Sequence, residues 1–231
     1  MISFFIPIRA GSKRIKNKNL KKLPGFNYGL TEIKIRQIKK FKNLVKKSNI
    51  KQEFEYIVST NCGKTTKFLK KFSWIKIHKR SQKLSTDNSL DDLIRKLPSI
   101  CKGNFILWTH VTSPLFDQNE YMGFIKKFLK KRFNSAFSAD LIQKFIYSPK
   151  KKWISHKNSK KKWPRTQDLD SMYIANSGAF IAKRKIYLKD KNRICNNPLP
   201  IITSKSKGLD IDDMYDFKNL IEILKSGKKI I

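Results

Sequence analysis

The first twenty residues constrain this chain more than any other stretch. Ile2-Ser-Phe-Phe-Ile-Pro-Ile8 is an apolar run of strand length, and it stops abruptly at Arg9-Ala-Gly-Ser-Lys-Arg14, with Asn17-Lys-Asn-Leu20 just beyond. A strand this apolar suits a sheet covered on both faces. The loop that it feeds carries Arg9, Gly11, Ser12, Lys13 and Arg14. In such a loop glycine lets the backbone approach a ligand, backbone N–H groups point outward, and cations neutralise charge. The arrangement is how α/β proteins hold a phosphate chain, so nucleotide chemistry leads. The competing reading is an ordinary surface turn.

Further strand-like runs lie at Glu55–Thr60, Trp74–His78, Asn104–Thr109, Ser135–Ala139 and Gly178–Lys183. Helical periodicity separates the early ones. Leu30–Lys46 places Leu30, Ile33, Ile38, Phe41 and Val45 on one face, and Lys64–Phe72 follows the second strand. Ser89–Leu97 follows a start signal at Ser85-Thr86-Asp87, Asn119–Arg132 carries Tyr121, Phe124, Ile125, Phe128 and Leu129, and Met214–Leu224 closes the series. Alternating strands and helices predict an α/β three-layer sandwich with a mostly parallel sheet. In such sheets ligands sit beyond the carboxyl ends of the strands. With 231 residues the chain reads as one domain. Lys144–Gln167 breaks the alternation with two lysine triplets, two Trp and two Pro. It reads as an insertion within about 140–175, either a lid or an oligomer arm, or else as a loose basic loop.

The net charge is +35, yet only nine of the 52 basic residues are Arg, and the lysines are spread almost evenly. Together with heavy use of Ile, Asn and Phe, this is the bias of AT-rich coding, so most lysines read as solvated surface. A dedicated nucleic-acid binder would cluster Arg and aromatics on one element; no specific nucleic acid is expected. The three cysteines form no CxxC pair and no zinc spacing, which suits a reducing cytosol. The start lacks a signal-peptide pattern, no run of about 18 apolar residues exists, and a cytoplasmic protein without a membrane span is expected.

Three other motifs bear on chemistry. Gly63-Lys64-Thr65-Thr66 mimics the end of a P-loop, but Val58 stands where the motif needs glycine. Gly208-Leu-Asp210-Ile-Asp212-Asp213 concentrates carboxylates in a chain with only 17 acidic residues. In extended backbone Asp210 and Asp212 point the same way and suit Mg²⁺, a hard cation that shares its shell with phosphates. Helix capping by Asp212 or Asp213 is the simpler reading, and the two are compatible. Trp108-Thr-His110-Val-Thr112-Ser113-Pro114-Leu115 is a strand end running into a polar turn. There His110 reads as a substrate contact ahead of a general acid or base, or as a packed core histidine. His78 and His156 have no partner pattern.

Arg9-Ala-Gly-Ser-Lys13 with Lys18-Asn19, then Thr112-Ser-Pro-Leu115, Asn176-Ser-Gly-Ala179 and Asp210-Ile-Asp212, form an ordered set spanning nearly the whole chain. Together they resemble the acylneuraminate cytidylyltransferases, or CMP-sialic acid synthetases. The resemblance implies a nucleotide-diphosphosugar transferase fold and attack by the anomeric hydroxyl of an acidic nine-carbon sugar on the α-phosphate of CTP, with loss of pyrophosphate. It implies that Arg9 and Lys13 hold the triphosphate and act in catalysis with Asp212, assisted by Ala10, Gly11 and Ser12 of the loop. Asn19 and Arg80 would contact the nucleotide, and Asp210 and Asp212 would bind Mg²⁺. His110, Thr112, Ser113, Arg165 and Asn176 would face the sugar, with Arg165 suited to its carboxylate. The insertion would be a homodimer arm.

Departures cluster toward the sugar. Ala10 stands where the family often has Gln, His110-Val111 where Gln-Pro is usual, Phe116 where Arg is common, and Ser177 interrupts Asn-Gly. The sugar is therefore open among nonulosonic acids of the legionaminic or pseudaminic type as well as N-acetylneuraminate; the related Kdo synthetases fit the first loop less well. Other readings are a nucleotidyltransferase for another sugar or base, and a non-catalytic polyanion-binding relative. The leading one requires Lys13 and Asp212 to meet at one cleft.

Overall fold

The computed structural model describes residues 1–86, 90–156, 160–204 and 206–231. The strands are β1 Ile2–Ile8, β2 Phe54–Thr60, β3 Lys76–Lys79, β4 Phe105–Trp108, β5 Ser135–Ile142, β6 Tyr147–Ser148, β7 Lys152–Trp153, β8 Met172–Lys183 and β9 Leu199–Ile202. The α-helices are α1 Gly29–Lys46, α2 Gly63–Leu69, α3 Leu90–Ile100, α4 Gln118–Lys131, α5 Arg184–Lys189 and α6 Met214–Lys225. Seven strands form one sheet in the order β3-β2-β1-β4-β8-β5-β9. Only β8 runs against the others, pairing antiparallel with β4 and β5. The expected α/β sandwich with a mostly parallel sheet is the architecture observed.

Both sheet faces are covered, which is why β1 lacks an apolar–polar alternation. Phe4 packs in the core that includes Leu30 and Phe41 of α1, Tyr121 of α4 and Phe217 of α6. Its neighbour Phe5 packs on the other face with Leu93 and Leu97 of α3 and Tyr187 of α5. Full burial of each such side chain contributes about 1.5–3 kcal/mol, so the two faces together lock the register of β1.

Several elements depart from the sequence reading. β9 contains Pro200, which breaks a strand pattern, but it is an edge strand where a missing N–H costs little. α5 is too short, at six residues, to show a periodicity. β8 is twice the length read from the sequence, because its first half is an exposed ribbon paired with the end of β5, from Ala139↔Ala175 to Ile142↔Met172. Between the two strands of this ribbon lies the small β6–β7 hairpin. The helix-start signal at Asp87 and the start at Ser89 lie outside the described residues. No helix among the described residues is long and apolar enough to cross a membrane.

Candidate active site

A cavity of about 500 Å³ opens beyond the carboxyl ends of β1 and β4, between the two directions in which the sheet grows. Lys13 and Asp212, far apart in sequence, both line it. Arg9, Ser12 and Arg14 join them from the first loop, with Arg80 from the end of β3. Gly11 has φ +82°, a left-handed conformation that lets the loop turn directly off β1. Ala10 and Gly11 face a shallower hollow that shares Arg9 and Thr86 with the cavity.

The acidic loop is held to the first loop and to the turn after β4. Lys18 Nζ donates to the Ile211 carbonyl at 2.5 Å. Ile211 N–H donates to the Thr112 carbonyl at 2.7 Å. Lys207 pairs with Asp117, the N-cap of α4. Ile211 is fully buried, Asp212 is exposed and lines the cavity, and Asp210 is half-buried and not among the lining residues. Capping of α6 falls to Asp213, whose carboxylate accepts from Tyr215 and Asp216 N–H at 2.8 and 3.1 Å. Asp212 thereby keeps its carboxylate for the cavity, with Arg14 Nη2 at 3.5 Å from Oδ1.

Beside the first loop, Asn19 donates to the Arg9 carbonyl at 3.1 Å and helps to set the loop. Its Oδ1 is buried with no partner among the described residues. An acceptor left in that state costs about 1–3 kcal/mol until a donor meets it, which suits a ligand N–H or O–H. Arg80 is anchored by Ser59, with Nε to Oγ at 3.1 Å and Nη2 to the carbonyl at 3.0 Å. Burial, reinforced by nearby Arg9, lowers its pKa to about 10. It remains a cation at neutral pH, and two adjacent cations favour a polyanionic ligand.

His110 stands on the opposite wall. Trp108 Nε1 donates to His110 Nε2 at 2.5 Å. Burial, then the cations Arg193, Lys34 and Lys18, push the imidazole pKa down to about 3. The ring is neutral, carries its proton on Nδ1, and presents a hydrogen-bond donor rather than a base. Thr112 also lines the cavity, whereas Ser113 is fully buried behind it.

Ser113 is held by a residue that sequence reasoning missed. Lys34 of α1 is fully buried, and its ammonium donates to the Ser113 and Phe116 carbonyls and to Tyr121 Oη, each at 2.9 Å. Gln37 reaches the Pro114 carbonyl at 2.7 Å. Burial lowers the Lys34 pKa to about 7, against the opposing pull of Asp117 and Asp210. The signal was present in the sequence. Lys34 and Gln37 fall four and seven residues after Leu30, on the apolar stripe of α1, where a polar side chain needs a reason.

Neither Arg165 nor Asn176 is among the residues lining the cavity. Arg165 is exposed and makes a two-pronged pair with Asp168, at 2.9 and 3.2 Å. Asn176 is buried, with all its bonding positions engaged. Its amide donates to Asp140 at 2.9 Å and Thr203 at 2.8 Å, while its carbonyl accepts from Ser138 at 2.6 Å and Gly178 N–H at 3.3 Å. Asn176-Ser-Gly-Ala179 is a bulge, in which these four residues of β8 face Ser138 alone on β5. Ser177 takes φ +59° there. The role of Asn176 in this geometry is to brace the bulge and Asp140 beneath the acidic loop.

The carboxylates suit a hard divalent cation. Asp210 Oδ1 is buried with no partner among the described residues. Burial raises the Asp210 pKa, partly offset by hydrogen bonding to Thr112, so a bound cation would relieve a real cost. No cluster of three or more His, Cys, Asp or Glu among the described residues is placed to hold a metal by protein ligands alone. Two carboxylates sharing Mg²⁺ with substrate phosphates remain compatible with that.

A family profile described as Cytidylyltransferase matches residues 3–194. No curated protein matches in sequence. Among solved structures, CMP:2-keto-3-deoxy-manno-octonic acid synthetase complexed with CTP superposes with TM-score 0.62 at 11% identity, covering 98% of this chain and 99% of that one. The 4-diphosphocytidyl-2C-methyl-D-erythritol synthase of Anaerococcus prevotii gives TM-score 0.63 at 12% identity, covering 97% and 96%. A cytidylyltransferase from Leptospira borgpetersenii gives 0.59 at 15% identity, covering 99% and 88%. At these identities the likeness is one of fold.

Proposed function

The chain belongs to the cytidylyltransferase family, and on that premise we propose that it activates an acidic nonulosonic sugar with CTP, giving a CMP-sugar and pyrophosphate. The observation that carries this reading is that Lys13 and Asp212 line one cavity together with Arg9 and Arg80. The sugar's anomeric hydroxyl oxygen forms a bond to the α-phosphorus as its proton passes to solvent, the bond from that phosphorus to the bridging oxygen breaks, and pyrophosphate leaves with the electron pair. The chain's task is positioning and charge stabilisation. Arg9, Lys13 and the Ser12 region take the triphosphate. Asn19 offers its unpaired Oδ1 to the nucleoside, and Arg80 adds charge beside Arg9. Asp210 and Asp212 are the residues that would hold Mg²⁺, whose charge, when bound, offsets that of the phosphate oxygens. His110 and Thr112 face the sugar, His110 as a neutral donor.

The arm supports a homodimer as part of this proposal. Leu141 and Tyr173 are paired across its ribbon and exposed on one face, and Ile174 is exposed on the other, apolar side chains of the kind that a partner covers.

The test is direct. Purified protein with CTP, Mg²⁺ and a panel of nonulosonic acids should release pyrophosphate with at least one of them. Kdo belongs in the panel, because a synthetase for that sugar shares the fold. Thermal shifts should favour CTP over UTP, ATP and GTP. No turnover across the panel by folded protein, and no preference for CTP, would sink the proposal.

A further inference from the structure

Resting on the reading that the second substrate is a sugar acid, we propose that Arg193 is the cation that receives the substrate's carboxylate, at the His110 end of the cavity. Arg193 lies beyond α5 in the loop leading to β9, and no motif in the sequence singled it out. Its guanidinium stacks on Phe180 at 3.9 Å from the ring centroid and lies 5.7 Å from that of Trp108. Those two rings also flank His110, at 6.2 and 6.0 Å. Trp108 and His110 line the cavity, and Arg193, half-buried and outside that lining, stands beside them.

Three observations point to an anionic ligand here. First, Arg193 makes no ion pair and no side-chain hydrogen bond among the described residues, although burial lowers its pKa. A half-buried cation without a protein acceptor is open to an incoming carboxylate, and partial removal from water strengthens such a pair. Second, stacking on Phe180 holds the guanidinium by its face, which leaves its N–H edge for a bidentate acceptor. Third, only nine of 52 basic residues are Arg. A chain that writes nearly all its cations as Lys uses here the one cation that both stacks and forks. Arg165, the other candidate for the carboxylate, is already paired with Asp168. The Nδ1–H of neutral His110 supplies a neighbouring donor for the same acid.

The experiment compares acids with their methyl esters. Protein saturated with Mg²⁺ and the α,β-methylene analogue of CTP is titrated with N-acetylneuraminate, with Kdo, and with each methyl ester. The wild type should prefer at least one acid to its ester by tenfold or more. Arg193→Gln should weaken that acid at least tenfold, leave the ester within twofold, and keep the thermal shift caused by CTP. Arg193→Lys, which retains charge without the fork, should fall between them. An Arg193→Gln variant that keeps the acid preference overturns the assignment. If Arg193→Gln does not fold, an Arg193→Lys variant with less than a threefold loss overturns it equally. A wild type that responds to CTP but prefers neither acid to its ester refutes the role of Arg193 while nucleotide use stands. A wild type with no response to CTP takes down the proposed function and this assignment together.

Discussion

Lys18 places its ammonium 2.5 Å from the carbonyl of Ile211, a contact that spans 193 positions of sequence. It ties the cationic first loop to the middle residue of Asp210-Ile-Asp212. The same residue hydrogen-bonds the Thr112 carbonyl through its N–H. A single buried isoleucine is thus clamped between the first loop and the turn after β4, with a carboxylate before and after it in the sequence.

Asp212 and Asp213 should separate function from stability. Asp212→Asn is expected to reduce Mg²⁺-dependent pyrophosphate release at least a hundredfold, with melting temperature unchanged, because its carboxylate is exposed and caps no helix. Asp213→Ala should cost about 1 kcal/mol of stability through loss of the α6 cap, with turnover retained. Urea melts and a pyrophosphate assay on both variants decide it; the reverse pattern would reassign the two residues.

His110 should impose an acid-side slope on stability. Its folded pKa is about 3, against an ordinary value near 6.5. Below pH 6.5 the unfolded chain takes up a proton that the folded state refuses. Stability contributed at neutral pH is therefore lost as pH falls toward 3, with a slope approaching about 1.4 kcal/mol per pH unit. Urea midpoints from pH 7 to 4.5 should show this in the wild type, less so in His110→Gln.

Lys34 should act in the opposite range. Its folded pKa of about 7 lies below the ordinary 10.5, so between these values the unfolded state binds the extra proton. Stability should rise with pH through this window, again by up to about 1.4 kcal/mol per unit. In Lys34→Met that rise should vanish. Because the turn at 113–116 loses two hydrogen bonds and Tyr121 a third, turnover should fall about tenfold or more through misplacement of Thr112 and the acidic pair. Normal turnover in a folded Lys34→Met variant would mean that the turn holds its place without the lysine.

Gly11 tests the loop itself. Nothing lies within 4 Å of where a Cβ would stand, yet φ is +82°. Gly11→Ala should therefore act through backbone conformation alone, costing about 1 kcal/mol and raising the KM for CTP severalfold. A side-chain clash is not available as an explanation. An unchanged KM for CTP would remove the loop backbone from triphosphate binding.

Much of this was legible without coordinates. The apolar run of β1, the α1 periodicity and the carboxylates ahead of α6 are local patterns, and local patterns survive in a one-dimensional string. β9 was hidden by Pro200, α5 by its brevity, and the first half of β8 by the exposure of its ribbon. Arg165 and Asn176 carried sugar-side expectations from resemblance, but neither lines the cavity. Asp168 holds the first and the β8 bulge the second. Lys34 and Arg193 were passed over among 52 basic residues, since nothing local distinguishes a buried or stacked cation from a solvated one.

The string of residues alone determined the principal strands and helices, and which loops concentrate cations and carboxylates. Periodicity and residue chemistry act over a few neighbours and need no fold to be read. Tertiary structure alone decided which of those groups meet. The order β3-β2-β1-β4-β8-β5-β9 brings Lys18 to Ile211 and Arg193 to the rings of Phe180 and Trp108 that flank His110. Contacts of that range arise from how strands cross and which faces are buried, quantities that belong to the whole packed chain and to no segment of it.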